Sequence, residues 1–168
     1  MDKCVGNGSR LNKREVSAFS FVVEMKKYLL ILLIITGSYG LKSQEVPLVR
    51  IIDGDTYVVL LNGIPQHVRL MNVDAPELKQ TFGMSVKDSL NILLKAKTLK
   101  IAVLKKDIYG RILAKVSYQG IALDSLLVIK GWAWCYESYN TNYILPSLQK
   151  EALQARKGLW YCNKPVPP

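Results

Sequence analysis

The dipeptide Asn62-Gly63, set between the apolar runs Thr56–Leu61 and Ile64–Val73, constrains the fold most. Flanked in this way it predicts a two-residue β-hairpin, because both positions tolerate the positive φ that the favoured turn needs. A β-branched run, Val46–Ile52, precedes the pair and ends at the turn signal Asp53-Gly54-Asp55. Three consecutive strands are therefore expected. In the third, Val68 and Leu70 alternate with His67, Arg69 and Met71. Asp74-Ala75-Pro76-Glu77 breaks it, since proline cannot continue a ladder and biases the residue before it to an extended conformation.

The period then changes. Val86, Leu90, Leu93, Leu94 and Lys97 fall at helical spacing and predict a helix over Phe82–Ala96. Leu99, Ile101 and Val103 alternate with Lys100 and Ala102 as a fourth strand. Beyond a polar loop, Lys105–Arg111, Ile112–Tyr118 is the fifth. Leu123–Lys130 reads as a short helix stopped by Gly131. Pro146–Lys157 reads as a last helix, with Leu148, Ala152 and Ala155 on one face and Gly158 as its cap. Three strands, a helix and two strands is the order of an OB-fold, a five-stranded Greek-key barrel. The expected class is α+β, mainly β, with about three helices.

The 168 residues, 49% hydrophobic and 21% charged, have room for one packed domain. Not all of them belong to it. Met25-Lys26-Lys27 leads into the apolar run Leu29–Ile35, and small residues follow at Thr36, Gly37, Ser38 and Gly40. This is the pattern of a signal peptide over residues 25–43, with a cut expected after Gly40 and an alternative cut after Ser43. A bilayer span needs roughly 20 apolar residues, so an uncleaved membrane anchor is the lesser reading. Residues 1–24 are polar, mixed in charge and without period. They read as a disordered leader or a mis-assigned start. The domain proper is expected over 44–168, in an exported protein, secreted or periplasmic.

From Gln44 onward 16 Lys and Arg stand against 10 Asp and Glu, a net of +6. A basic surface raises the local concentration of polyanions. His67 is the only histidine, which with few cysteines argues against zinc. Cys135 and Cys162 fall in the mature region and form a possible disulfide in an exported chain. The alternative is two unpaired buried thiols.

Charged residues interrupt the apolar pattern at three places: Asp53-Gly54-Asp55-Thr56, Arg69 with Asp74-Ala75-Pro76-Glu77, and Asp107-Ile108-Tyr109-Gly110-Arg111. Each alone is ordinary, a turn, a surface pair or a loop. In a closed barrel their strand ends converge. Asp55 and Asp74 are hard oxygen donors that, with a backbone carbonyl and waters, suit Ca²⁺. Glu77 is a carboxylate able to take a proton from water. Arg69 and Arg111 carry forks that match phosphate oxygens. Those are the parts that phosphodiester hydrolysis needs.

These stretches, with Gly131-Trp132-Ala133-Trp134 and Gly158-Leu159-Trp160, resemble the motifs of the staphylococcal nuclease (thermonuclease) family over residues 46–168. The resemblance implies a Ca²⁺-dependent nuclease acting on DNA and RNA and leaving 3′-phosphate ends. It implies Asp55, Asp74 and the Ala75 carbonyl as metal ligands, Arg69 and Arg111 on the reacting phosphate, and Glu77 as the group that activates or orients water. Asp53 matches the outer acid near the metal, and Tyr109 the tyrosine at a terminal phosphate. Tyr136 and Tyr139 align loosely with tyrosines that stack on the substrate; packing or plain exposure is the other reading. Ile108 replaces a frequent lysine. Some members bind without cleaving, but here every reacting residue is present. No stable protein partner is implied. A monomer is expected, touching membrane only through an uncleaved signal segment.

Overall fold

The computed structural model describes residues 24, 26–27, 43–95, 98–161 and 165–168. The chain divides into two units, Met1–Gly40 and Leu41–Pro168. In the first, Lys27 Nζ lies 3.1 Å from Glu24 Oε1. The rest of the expected leader and almost all of the expected signal segment lie outside the described residues.

The second unit is built from β1 (Ser43–Ile51), β2 (Thr56–Leu61), β3 (Ile64–Leu70), β4 (Val73–Asp74), α1 (Gly83–Leu93), β5 (Thr98–Lys106), β6 (Ile112–Tyr118), β7 (Ile121–Ala122), α2 (Leu123–Ile129), β8 (Trp134–Cys135) and α3 (Leu145–Gln154). Short 3-10 turns span Glu137–Tyr139 and Gly158–Tyr161. The sheet runs β3-β2-β1-β5-β6-β7, and a parallel pairing of β3 with β6 closes its first five strands into a barrel. The expected fold is therefore the observed one. At the hairpin, Leu61 pairs with Ile64, and Asn62 and Gly63 take φ of 50° and 78°, as the sequence requires.

Strand alternation fills the interior with Val46, Leu48, Tyr57, Val59, Val68, Leu99, Ile101, Ala114 and Val116, all buried. Val86 and Leu90 of α1 plug one side, and Leu123, Leu127 and Leu145 of the later helices another. Each such aliphatic side chain contributes about 1.5–3 kcal/mol on leaving water.

The third strand is not continuous to Val73. Asn72 adopts φ 72°, a left-handed conformation that ends β3 at Leu70. Val73 and Asp74 then pair with Cys135 and Trp134 in a separate small sheet. That second sheet is invisible to periodicity, because a two-residue strand carries no alternation. The first helix starts later than expected because Phe82 is itself left-handed at φ 79°. β5 runs on to Lys106 through an irregularity between Val103 and Lys105, which shortens the following loop. The Gly131 and Gly158 segments meet: Leu159 N–H donates to Gly131 O at 2.8 Å, and Trp134 and Trp160 stack edge to face at 6.1 Å. Cys135 is buried in β8. Its proposed partner Cys162 lies outside the described residues.

Candidate active site

The β1–β2 turn holds the first acids. Asp53 Oδ1 accepts the N–H groups of Asp55 (3.1 Å) and Thr56 (2.7 Å), and Tyr57 OH donates to Gly54 O at 2.7 Å. Gly54 is required by close approach: a Cβ there would stand 2.5 Å from Ala75 Cβ and 3.0 Å from Val86 Cγ1. The turn is thus pressed against the Asp74-Ala75-Pro76 segment. That contact brings two parts of the chain, twenty residues apart, to one place.

Asp55 lies beneath, 1% exposed. Its carboxylate accepts Ala75 N–H (2.6 Å), Thr56 Oγ1–H (3.1 Å) and a guanidinium N–H of Arg69. The second Arg69 terminal nitrogen meets Asp74. Arg69 stands opposite Thr56 in the β2–β3 ladder, which aims it across the turn. Burial, opposed by Arg69 and aided by Asp53, pushes the Asp55 carboxyl up to about 7. Burial would lower the Arg69 pKa, but Asp55 and Asp74 outweigh it and hold the guanidinium above its ordinary value. Tyr57 is kept neutral by burial and by the Asp55 and Asp53 charges.

Two carboxylates, Asp55 and Asp74, therefore hold one cation, with Asp53 in the adjoining turn, and these hard oxygen donors suit a further cation. No cluster of three or more His, Cys, Asp or Glu side chains forms a ready metal cage among the described residues. The donor set fits a sparse site, Asp55 and Asp74 completed by a carbonyl and water. Ala75 meets Asp55 through its N–H.

The second arginine sits in the β5–β6 turn. Asp107 Oδ1 accepts the N–H groups of Tyr109 and Arg111, both at 2.9 Å, and Asp107 Oδ2 accepts Arg111 Nε–H at 2.8 Å. Slight burial works against it, but these donors hold the Asp107 carboxyl below its usual range. The guanidinium carbon lies 5.5 Å from the Tyr109 ring centre. Nε is engaged, and the two terminal nitrogens make no hydrogen bond among the described residues. Arg111 borders a cleft of about 530 Å³ whose lining also includes Arg69, Asp74, Lys106, Tyr109 and Tyr136. Ile108 and Tyr109 stand exposed at its lip.

Glu77 is exposed, and its side chain has no hydrogen bond or ion pair among the described residues. It does not line that cleft. Its backbone is fixed: its N–H donates to Gln80 Oε1 at 2.7 Å, its carbonyl accepts Gln80 N–H at 2.9 Å, and the carbonyl lies against Gly83, where a Cβ would be 2.0 Å away. The side chain of Tyr139 lies outside the described residues.

The structure thus joins Asp55, Arg69 and Asp74 directly, and sets Arg69, Asp74, Arg111, Tyr109 and Tyr136 around one cleft. The roles of four residues escaped the sequence reading. Tyr57 props the first turn, Asp107 aims Arg111, Lys106 adds positive charge, and Asn72 anchors the corner between Arg69 and Asp74. Only Asp107 carried a signal, as an acid four residues before Arg111. The others read as ordinary strand and turn residues.

A family model described as staphylococcal nuclease homologue matches residues 67–162. An Escherichia coli protein named uncharacterized endonuclease is 40% identical over 146 residues, 86% of this chain and 95% of that protein. A Haemophilus influenzae protein of the same description is 35% identical over 141 residues, 83% of this chain and 79% of its own. The micrococcal nuclease of Shigella flexneri is 36% identical over 123 residues, 67% and 71% of the two chains.

Proposed function

Because the chain belongs to the staphylococcal nuclease homologue family and is a nuclease, we propose that it is an exported, Ca²⁺-dependent hydrolase of DNA and RNA, leaving 3′-phosphate ends. The observation that carries this reading is the convergence of Arg69 and Arg111 on the cleft bordered by Asp74. Two guanidinium forks on one cleft are a receptor for a phosphodiester.

Asp55, Asp74 and the Ala75 carbonyl would hold the ion. Bound there, Ca²⁺ supplies Lewis-acid neutralisation of the phosphoryl charge. The chain's own residues do the rest. The terminal nitrogens of Arg69 and Arg111 bind the non-bridging oxygens and offset charge that builds on them. Arg69 spans Asp55 and Asp74; with those acids engaged by a metal ion, its fork would be available to phosphate. Glu77 aims the attacking water or takes its proton; a solvated carboxylate on a fixed backbone suits that task. Water oxygen bonds to phosphorus, the P–O5′ bond breaks, and the 5′-oxygen leaves with a proton. Tyr109, at the lip, contacts a terminal phosphate, and Tyr136 and Tyr139 lie along the nucleotide. The basic domain, net +6 from Gln44 onward, gathers the polyanion.

Export is proposed on the Lys26-Lys27 and Leu29–Ile35 pattern. A cut after Gly40 leaves β1 whole, from Ser43. The domain is proposed to act as a monomer.

The test is direct. The exported protein, expected to begin at Leu41, is incubated with single-stranded DNA and with RNA, in Ca²⁺ or in chelator. Cleavage is expected only with Ca²⁺, with 3′-phosphate termini. Absence of Ca²⁺-dependent cleavage at every pH from about 7 to 10 would end this reading.

A further inference from the structure

A second cleft, of about 580 Å³, opens beside the first, and Asn72 belongs to the lining of both. One wall is the outer face of β5 and β6, with Lys100 and Lys115. Lys100 lies opposite Ser117, and Lys115 opposite Ala102. Directly paired residues share a face, and so do residues two apart. The two lysines are therefore diagonal neighbours on one surface. Neither takes part in an ion pair among the described residues. Glu45 is the cross-strand neighbour of Lys100 on β1 but does not line the cleft.

The opposite rim is Asn142, Tyr143 and Ile144, with Tyr143 90% exposed. The floor is a buried polar network. Asp124 Oδ2 accepts the side-chain amides of Asn72 (3.1 Å) and Asn142 (3.3 Å), while its Oδ1 accepts Ser125 N–H at 2.6 Å. Asn72 Oδ1 accepts both Thr141 N–H (2.9 Å) and Thr141 Oγ1–H (3.1 Å). Asp124 is therefore engaged by donors of the floor, and the charge that faces solvent is that of the lysines. The network also fixes the Thr141–Ile144 rim relative to β3.

Cations on one side, an exposed aromatic ring on the other and a rigid floor between them match a strand of phosphates and flat bases. The geometry points to this cleft as a second nucleic-acid subsite. A single strand held in the reacting cleft continues past Asn72, with successive phosphates on Lys115 and Lys100 and a base stacked on Tyr143. The inference rests on the nuclease reading for the direction of the strand, and deepens it. The enzyme would favour chains that extend beyond the nucleotides at the reacting phosphate.

Two readouts separate this inference from that reading. Fluorescein-labelled dT12 is bound in chelator, where nothing is cut, by wild type, by K100Q/K115Q and by Y143A. Hydrolysis of a mononucleotide p-nitrophenyl diester, which occupies the reacting cleft alone, is measured with Ca²⁺. The double variant should bind dT12 about tenfold more weakly, and its log K against log salt slope should fall by about 1.4, since a single strand gives about 0.7 per phosphate contact. Y143A should lose about fivefold in affinity with an unchanged slope. Both should hydrolyse the small ester within about twofold of wild type. Unchanged affinity and slope in an enzyme that still cuts the ester would overturn the subsite and leave the nuclease intact. A tenfold loss for K100Q/K115Q with no effect of Y143A, matched by equal displacement of dT12 by polyglutamate, would also overturn it, as general electrostatic attraction. If wild type cuts nothing yet the variants lose binding as stated, the subsite stands and the hydrolytic reading falls.

Discussion

Arg111 owes its value to what holds it. Asp107 takes its Nε–H at 2.8 Å and its backbone N–H at 2.9 Å, so one edge of the guanidinium is fixed and the other is presented. Lysine preserves charge but has no second edge. Arg111→Lys should therefore lower kcat by about 10²–10³, the usual loss when an oriented transition-state donor is removed. The melting temperature should move by no more than about 2 °C, because a half-exposed ion pair contributes little to stability. Single-turnover cleavage and a thermal melt measure both. Retention of more than about a tenth of wild-type turnover would remove Arg111 from the reaction. Arg111 and Glu77 were legible in sequence as polar residues interrupting an apolar pattern. The clamp by Asp107 was not, since hydrogen bonding within a loop follows from its turn geometry.

At the scale of elements, the corner between β3 and β4 determines the site. Arg69 precedes it and Asp74 follows it. Asn72 at its centre takes φ 72° and is tied to Asp124 and Thr141. Asn72→Gly keeps the backbone conformation and loses those bonds, at a cost of about 1–3 kcal/mol. Asn72→Ala loses the same bonds and must also hold a left-handed backbone, about 1–2 kcal/mol more. Urea unfolding of the two variants should rank them in that order. Equal midpoints would show that the corner is not held as described. A continuous strand from Ile64 to Val73 was the natural reading of alternation. The break at Asn72 was hidden because asparagine is common in strands' ends and turns alike, and because its stabilising partners lie 52 and 69 residues away.

For the whole molecule, the buried acid couples stability to pH and, with the proposed Ca²⁺ site, to metal. Asp55 titrates near 3.8 when unfolded and about 7 when folded. Its contribution is present in full below the unfolded value and is lost as pH rises through the folded one. In chelator, its share of stability should fall between about pH 4 and pH 7, and Asp55→Asn should flatten that fall. A cation needs the carboxylate ionised, so the rise in melting temperature given by Ca²⁺ should be larger by several degrees at pH 8 than at pH 5. Scanning calorimetry with Ca²⁺ and with chelator checks this. An equal rise at both pH values would place the ion elsewhere. The sequence by itself determined the strand order, the hairpin at Asn62-Gly63 and the identity of the charged residues, because alternation, turn chemistry and polar interruptions are local properties of the chain. Only the tertiary structure decided that Gly54 presses the first turn against Ala75, that Arg69 spans Asp55 and Asp74, that Asn72 breaks the third strand, and that Lys100, Lys115 and Tyr143 border one cleft. Those relations are made by barrel closure and by hydrogen bonds between distant segments, and no local period or spacing encodes them.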